Sequence, residues 1–256
     1  MSNSSAIGIA VIGAGGWGRN IVRTVARLGA LRAIVDPDRQ AATQLAEAHA
    51  ARVASFDEAL ADPAIQGFIV AAPAHLHFQI AEKILRAGKD VYVEKPLALS
   101  TADGAKLVEL AAANDRILMV GHLLQYHNAF LKLLDMARAG SFGRIVKIYS
   151  NRLNMGKIRR EEDALWSLAP HDISMILALA GETPDKVVTH EMPVLHPKIS
   201  DTTIVHLDFP SGLKAHVHAS WLHPTKEQRL VLVGTAAVRF CPLWKILGIC
   251  TIEGRK

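Results

Sequence analysis

Cysteine is almost missing from this chain: Cys241 and Cys250 are the only two in 256 residues. Two thiols near one end build no disulfide framework, so a reducing compartment, the cytoplasm, is the expectation. No run approaches the ~20 apolar residues that a membrane-spanning helix requires. The opening MSNSSAIGIAVIG has no basic stretch followed by a long apolar one, and no secretory leader is read there. No block of Lys and Arg is dense enough for nucleic acid, although 29 basic against 24 acidic side chains leave +5, a balance suited to small anions. Internal repeats and low-complexity linkers are absent too. What the chain does have is bulk: 50% hydrophobic residues with 21% charged support a sizeable core and argue against disorder.

Residues 6–121 alternate strand-like and helix-like segments with short joints. Apolar runs at Ile7–Ile12, Leu31–Val35, Gly67–Ala71, Val91–Val93 and Ile117–Val120 read as buried parallel strands. Asn20–Leu28, Arg39–Ala48, Phe78–Ala87 and Ala102–Ala113 read as helices, the last capped by Ser100 with Asp103. This is the pattern of βαβ units in a doubly wound Rossmann sheet. After Gly121 the texture changes. Helical patterns at Asn128–Ala139 and Pro170–Ala180 are mixed with strand-like runs at Arg144–Ser150, Lys186–Glu191, Thr202–Phe209, Leu213–Trp221 and Arg229–Gly234. Pro210-Ser211-Gly212 reads as a tight turn between two of these strands. The expectation is an α/β protein: a dinucleotide-binding unit over 1–122, then an α+β substrate unit over 123–256 with a mainly antiparallel open sheet.

The stretch IAVIGAGGWGRNIV holds Gly13-x-Gly15-x-x-Gly18 between the first strand and the first helix. Such a loop lets a backbone approach a pyrophosphate that rests on a helix N-terminus. Asp36 stands 18 residues beyond Gly18, at the end of the second strand, where a carboxylate binds ribose hydroxyls. The competing reading is a set of ordinary turn residues. Strand, glycines, helix, strand and Asp in that order favour the cofactor. Asp36 would repel a 2′-phosphate, so NAD is expected; Arg39 keeps NADP open.

The run Val91-Tyr92-Val93 ends in Glu94-Lys95-Pro96, and a charged pair at a strand's carboxyl end is costly to desolvate unless something meets it there. In an open α/β sheet that edge is where ligands bind. Lys95 could stabilise an alkoxide as hydride departs, or, with its proton removed, act as a base. By itself it also reads as a surface lysine whose stem covers the strand end.

The glycine motif together with AAPAHLHFQIAEKILRAGKDVYVEKPLAL resembles the glucose–fructose oxidoreductase/inositol dehydrogenase (Gfo/Idh/MocA) family, over residues 6 to about 234. The resemblance implies oxidation or reduction of sugar carbons with NAD(P), and puts Lys95 at the catalytic centre. Pro73 and His77 match the family's Pro-x-x-x-His loop near the nicotinamide, although His77 also reads as a plain helix N-terminal residue. Trp17 and Glu94 join the glycines, Asp36, Pro73, His77 and Lys95 as the expected cofactor contacts. His171, opening an apolar helix in WSLAPHDISMILAL, matches the family's histidine. Ser167 stands where the family carries an aspartate, so Lys95 and His171 are left as the catalytic pair. An imidazole has an ordinary pKa near 6.5 and suits proton transfer at neutral pH, with a helix-capping role as the alternative.

YSNRLNMGKIRREEDALWSLAPHDISMIL and GHLLQYHNAF resemble the subgroup that oxidises carbon 3 of UDP-linked N-acetyl amino sugars, the 3-keto product passing to an aminotransferase. Tyr126, Arg152, Asn154, Lys157, Arg159, Arg160 and His171 are the expected substrate contacts, the cations facing a diphosphate or carboxylate. A solvated loop pairing internally with Glu161, Glu162 and Asp163 is the alternative. His75, His77, His206, His216, His218 and His223 suggest a metal, but no four-ligand set completes around them and none is assigned. The family resemblance also implies a homo-oligomer. TAAVRFCPLWKILGICTIEGRK departs from the family pattern and reads as a frameshifted or truncated ending, which would remove a sheet edge. A polyol or inositol dehydrogenase, and a non-catalytic dinucleotide-binding regulator, are the other readings.

Overall fold

The computed structural model describes residues 7–156, 158, 159 and 162–238. The chain divides into two compact units, Met1–Gly121 and His122–Lys256. The unusual ending from residue 239, Lys157 and Arg160 lie outside the described residues.

The first unit is built on six parallel strands, β1 (Ile9–Ile12), β2 (Leu31–Val35), β3 (Arg52–Val53), β4 (Gly67–Val70), β5 (Asp90–Val93) and β6 (Leu118–Val120). Their spatial order is β3-β2-β1-β4-β5-β6. The order reverses between β1 and β4, so the strand ends there open the crevice in which such sheets bind ligands. Five helices cover the sheet: α1 (Gly18–Arg27), α2 (Arg39–Ala48), α3 (Phe56–Ala61), α4 (His77–Arg86) and α5 (Thr101–Ala113). One core layer packs Ala10, Phe68, Val70, Val91 and Val93 against Ile84, Leu85 and Leu107; the other packs Val11 and Ile34 against Val22, Val25 and Ala42. These strands are apolar on both faces because both faces are covered. β3 and α3 were not anticipated: a two-residue strand has no period to read. The Ser55–Glu58 capping box that starts α3 was nonetheless legible as S-x-x-E. Ser100 caps α5 as expected, accepting from the Asp103 N–H at 3.1 Å.

Among the described residues the second unit has five strands, β7 (Ile145–Met155), β8 (Lys186–Met192), β9 (Thr202–Asp208), β10 (Lys214–Ser220) and β11 (Leu222–Gly234), in the order β11-β7-β10-β9-β8. Only β7 and β10 are parallel; the other neighbours are antiparallel. Helices α6 (Asn128–Arg138), α7 (Ala164–Leu168) and α8 (Pro170–Ala180) belong to the same unit, and Ile176 and Ala169 of the α7–α8 segment pack on Ile148, Val205, Leu207, Ala215 and Val217. β7 runs five residues past the expected Ser150. Pairing on both sides, Leu153 with Ser220 and Met155 with Leu222, carries the strand through Arg152 and Asn154. These two residues therefore sit on a strand rather than a loop. Trp221 is the largest fully buried side chain among the described residues, and its indole N–H donates to the buried Asp201 at 2.6 Å. Burial raises the Asp201 carboxyl, but donors from Leu195, Trp221 and Val194 outweigh it and hold the group below its ordinary value.

The opposite face of this sheet carries a row of rings. His190 and His206 lie 6.0 Å apart, His206 and His216 5.0 Å, and His216 and Tyr149 6.2 Å. The register explains the row, because His216 stands directly opposite His206 on one side and Tyr149 on the other. Partial burial lowers the pKa of His216, helped by His206, His218 and Lys147; burial also lowers His218. A histidine lowered on folding costs nothing above about pH 6.5, where both states are neutral. Below that the unfolded chain takes the proton first, so stability falls as pH drops toward the folded value. The urea midpoint of the wild type should therefore fall between pH 7 and pH 5, and His216→Gln should make that fall shallower; an equal slope in the variant would contradict this origin.

Candidate active site

The loop after β1 is shaped by backbone proximity. Gly13 has φ +106°, and a Cβ there would lie 2.6 Å from the Ala71 carbonyl oxygen. A Cβ on Gly18 would lie 2.0 Å from the Gly13 oxygen. Both positions admit only glycine. Gly15 differs: a Cβ there would meet nothing within 4 Å, so the space beside it is open to a ligand. The N-terminus of α1 follows, with no side-chain cap and no acidic residue in its first turn. The dipole at that end suits an anion, while the Arg19, Asn20 and Ile21 N–H groups donate to the Gly15 and Trp17 oxygens. Asp36 stands at the end of β2, its Oδ2 accepting from the Ala14 N–H at 2.5 Å and its Oδ1 from the Asp38 N–H at 2.8 Å. Each carboxylate oxygen has a second lone pair for a ribose hydroxyl. Trp17, half exposed, precedes the helix. Glycine clearance, uncapped helix and carboxylate fit a dinucleotide.

At the carboxyl end of β5, Glu94 is 8% exposed and accepts from the Tyr92 hydroxyl at 2.9 Å. Gly121 makes room for this pair: a Cβ there would come within 2.6 Å of the Tyr92 hydroxyl and 3.0 Å of the Glu94 carboxylate. Lys95 follows immediately, at the carboxyl edge of the sheet, where open α/β sheets as a class bind ligands. Pro73 starts the turn that leads into α4. His77 opens α4 but faces inward, 1% exposed, with one ring nitrogen 2.6 Å from the Pro96 carbonyl and the other 2.8 Å from the Ala72 carbonyl. Its two nitrogens are used on the protein's own backbone.

In the second unit, Pro170 sets the first turn of α8, and His171 follows, 8% exposed. Asp172 is buried between two partners from β7: Ser150 donates to it at 2.6 Å, and the Arg152 guanidinium forks onto both carboxylate oxygens. Arg152 is largely covered, and this pair ties the first turn of α8 to the sheet. Breaking a buried pair from one side typically costs about 3–5 kcal/mol. Sequence reasoning gave Arg152 to the substrate and no role to Asp172, whose charge is the reason Arg152 can sit inside. Arg159 pairs with Glu162 at 2.9 Å, as the internally paired alternative anticipated. Tyr126 is exposed on a short turn, and the side-chain Oδ1 of Asn154 is buried with no hydrogen-bond donor among the described residues. His122 was overlooked, though it lies in the GHLLQY stretch: its ring meets that of His171 edge-on, with centroids 6.0 Å apart. Among the described residues, no group of three or more His, Cys, Asp or Glu could hold a metal ion, and no helix is long and apolar enough to cross a membrane.

A Rossmann unit with an open phosphate loop, followed by a five-stranded α+β unit, defines an NAD-binding oxidoreductase. The oxidoreductase family with an NAD-binding Rossmann fold matches residues 7–122, and the GFO/IDH/MocA C-terminal domain matches residues 130–238. The chain belongs to the Gfo/Idh/MocA oxidoreductase family. It is 27% identical over 224 residues to the UDP-N-acetylglucosamine 3-dehydrogenase of Acidithiobacillus ferrooxidans, covering 86% of this chain and 69% of that one. It is 30% identical over 220 residues to inositol 2-dehydrogenase 2 of Saccharopolyspora erythraea, covering 82% and 65%. Among solved structures, GenD2 from gentamicin A biosynthesis in complex with NAD superposes with a TM-score of 0.86 at 25% identity, over 92% of this chain and 72% of that one.

The glycine geometry separates two roles. Gly15→Val should leave the urea midpoint within error of wild type and weaken NAD⁺ binding by at least about tenfold, by filling ligand space. Gly18→Val should lower stability itself. Calorimetric titration beside urea unfolding checks both; equal destabilisation by the two substitutions would contradict the distinction.

Proposed function

We propose that the protein oxidises the carbon-3 hydroxyl of a UDP-linked N-acetyl amino sugar, UDP-N-acetylglucosamine or its 6-uronate, to a 3-keto sugar with NAD. The observation that carries the reading is the likeness to a UDP-N-acetylglucosamine 3-dehydrogenase, which runs through 86% of the chain and so spans both units. When bound, NAD supplies the hydride acceptor. Lys95 donates a hydrogen bond to the hydroxyl oxygen as negative charge develops there. His171 takes the hydroxyl proton. The carbon–hydrogen and oxygen–hydrogen bonds break, the carbonyl forms, and one hydride and one proton leave the sugar. Asp36 orients the adenosine ribose, and Asp172 with Arg152 fixes the turn that carries His171. The ketone produced is the kind of group on which an aminotransferase acts, and such an enzyme is the proposed pathway partner of a homo-oligomer.

A second reading has its own support. The inositol dehydrogenase relative is the more identical of the two, at 30%. Arg152 and Arg159 are engaged by Asp172 and Glu162, which takes two cations from those offered to a diphosphate. Under this reading the substrate is an uncharged polyol.

Lys95→Met should abolish turnover while NAD⁺ affinity stays within about threefold of wild type; an unchanged kcat would remove Lys95 from the chemistry. With NADH bound, a saturating UDP-sugar should raise the Tm and myo-inositol should not. The reverse pattern would select the polyol reading.

A further inference from the structure

We infer that His77 is a positioning residue that holds the Lys95 turn, acting through the Pro96 carbonyl rather than by touching cofactor or sugar. The inference rests on the reading of Lys95 as the catalytic group. Three observations carry it. The ring is 1% exposed, so it offers no surface to a ligand. One nitrogen lies 2.6 Å from the oxygen of Pro96, the residue after Lys95. The other lies 2.8 Å from the oxygen of Ala72, in the loop that follows β4. One ring thus joins the turns at the carboxyl ends of two adjacent strands. Both partners are carbonyls and can only accept; a neutral ring carries one N–H, and with that proton on Nδ1 the ring donates to the Pro96 oxygen. His77 is also the first residue of α4, whose Ala81, Ile84 and Leu85 are fully buried in the core. The anchor therefore belongs to a packed helix and not to a mobile loop. The Lys95 side chain inherits that rigidity through a backbone unit one residue away. Misplacing a catalytic group by about 1 Å can cost about a hundredfold in rate.

The test uses two substitutions in the full chain. His77→Phe keeps a ring of similar size and removes the N–H donor; His77→Gln keeps an N–H donor. In His77→Phe, kcat should fall at least about tenfold, with the KM for NAD⁺ and for the sugar within about threefold of wild type. His77→Gln should recover most of that loss. A loss carried entirely by the KM for NAD⁺ would make His77 a cofactor contact and overturn the proposal, as would an unchanged kcat in His77→Phe. Where His77→Phe fails to fold, His77→Gln and His77→Asn carry the same comparison.

A second readout needs no turnover. Acetic anhydride labelling followed by peptide mass spectrometry gives the reactivity of Lys95 relative to the exposed Lys132. That ratio should shift at least about threefold in His77→Phe at constant pH, since the environment of the amine is no longer fixed. A shifted ratio in a chain whose wild type oxidises neither UDP-sugars nor polyols would leave the clamp standing and the dehydrogenase reading refuted. An unshifted ratio would refute the clamp alone.

Discussion

The amino-terminal unit depends on two stretches of backbone lying closer together than any side chain allows. The Gly13 carbonyl and the Gly18 Cα approach so nearly that α1 begins against the turn leaving β1, with Ala71 pressing on Gly13 from the β4 side. That contact sets where α1 begins, next to the open space beside Gly15. Asp36 braces the same loop by accepting from Ala14. Everything a dinucleotide needs at this edge follows from the contact: a short turn, an uncapped helix and a carboxylate at the ribose distance in sequence. Further along the edge, Glu94 is held by Tyr92, in space that Gly121 leaves free. Lys95 is thereby delivered by a buried, hydrogen-bonded strand end.

The second unit uses charge where the first uses steric closeness. Asp172 is a carboxylate in the core, and it is tolerable there because Arg152 and Ser150 satisfy it. Burying such a pair contributes little net stability, but it fixes geometry, since either partner alone would be a costly buried charge. The geometry it fixes is the first turn of α8, where His171 sits. The proposed substrate unit thus has a firmly placed histidine and fewer uncommitted cations than its sequence suggests.

Much of this was legible in the sequence, for physical reasons that differ by element. Parallel strands buried on both faces read as unbroken apolar runs, and the glycine loop reads because its constraints leave no other residue possible. Arg39–Ala48 and Pro170–Ala180 begin and end where period and capping residues place them. What escaped was set by tertiary pairing. β7 continues past Ser150 only because β10 and β11 flank it, and no local pattern announces that. The same blindness turned Arg152 from a buried partner of Asp172 into an expected phosphate contact: spacing shows that a cation is near a site, not which anion it meets first. His77 was read from a motif as a cofactor neighbour, whereas its ring faces two carbonyls of its own chain. Residues 157 and 160 and the ending from 239 lie outside the described residues, so those expectations stand as sequence readings.

The central claim is that this fold and its strand-end lysine serve dehydrogenation of an amino sugar held as a UDP ester. It is tested most directly by absorbance at 340 nm with purified protein, NAD⁺ and either UDP-N-acetylglucosamine or its 6-uronate, with myo-inositol alongside and mass spectrometry for a ketone two mass units lighter than the substrate. The account predicts NADH and the 3-keto sugar with one of the two nucleotides and none with myo-inositol. Turnover of myo-inositol with silence from both UDP-sugars, in protein that binds NAD⁺, would contradict it.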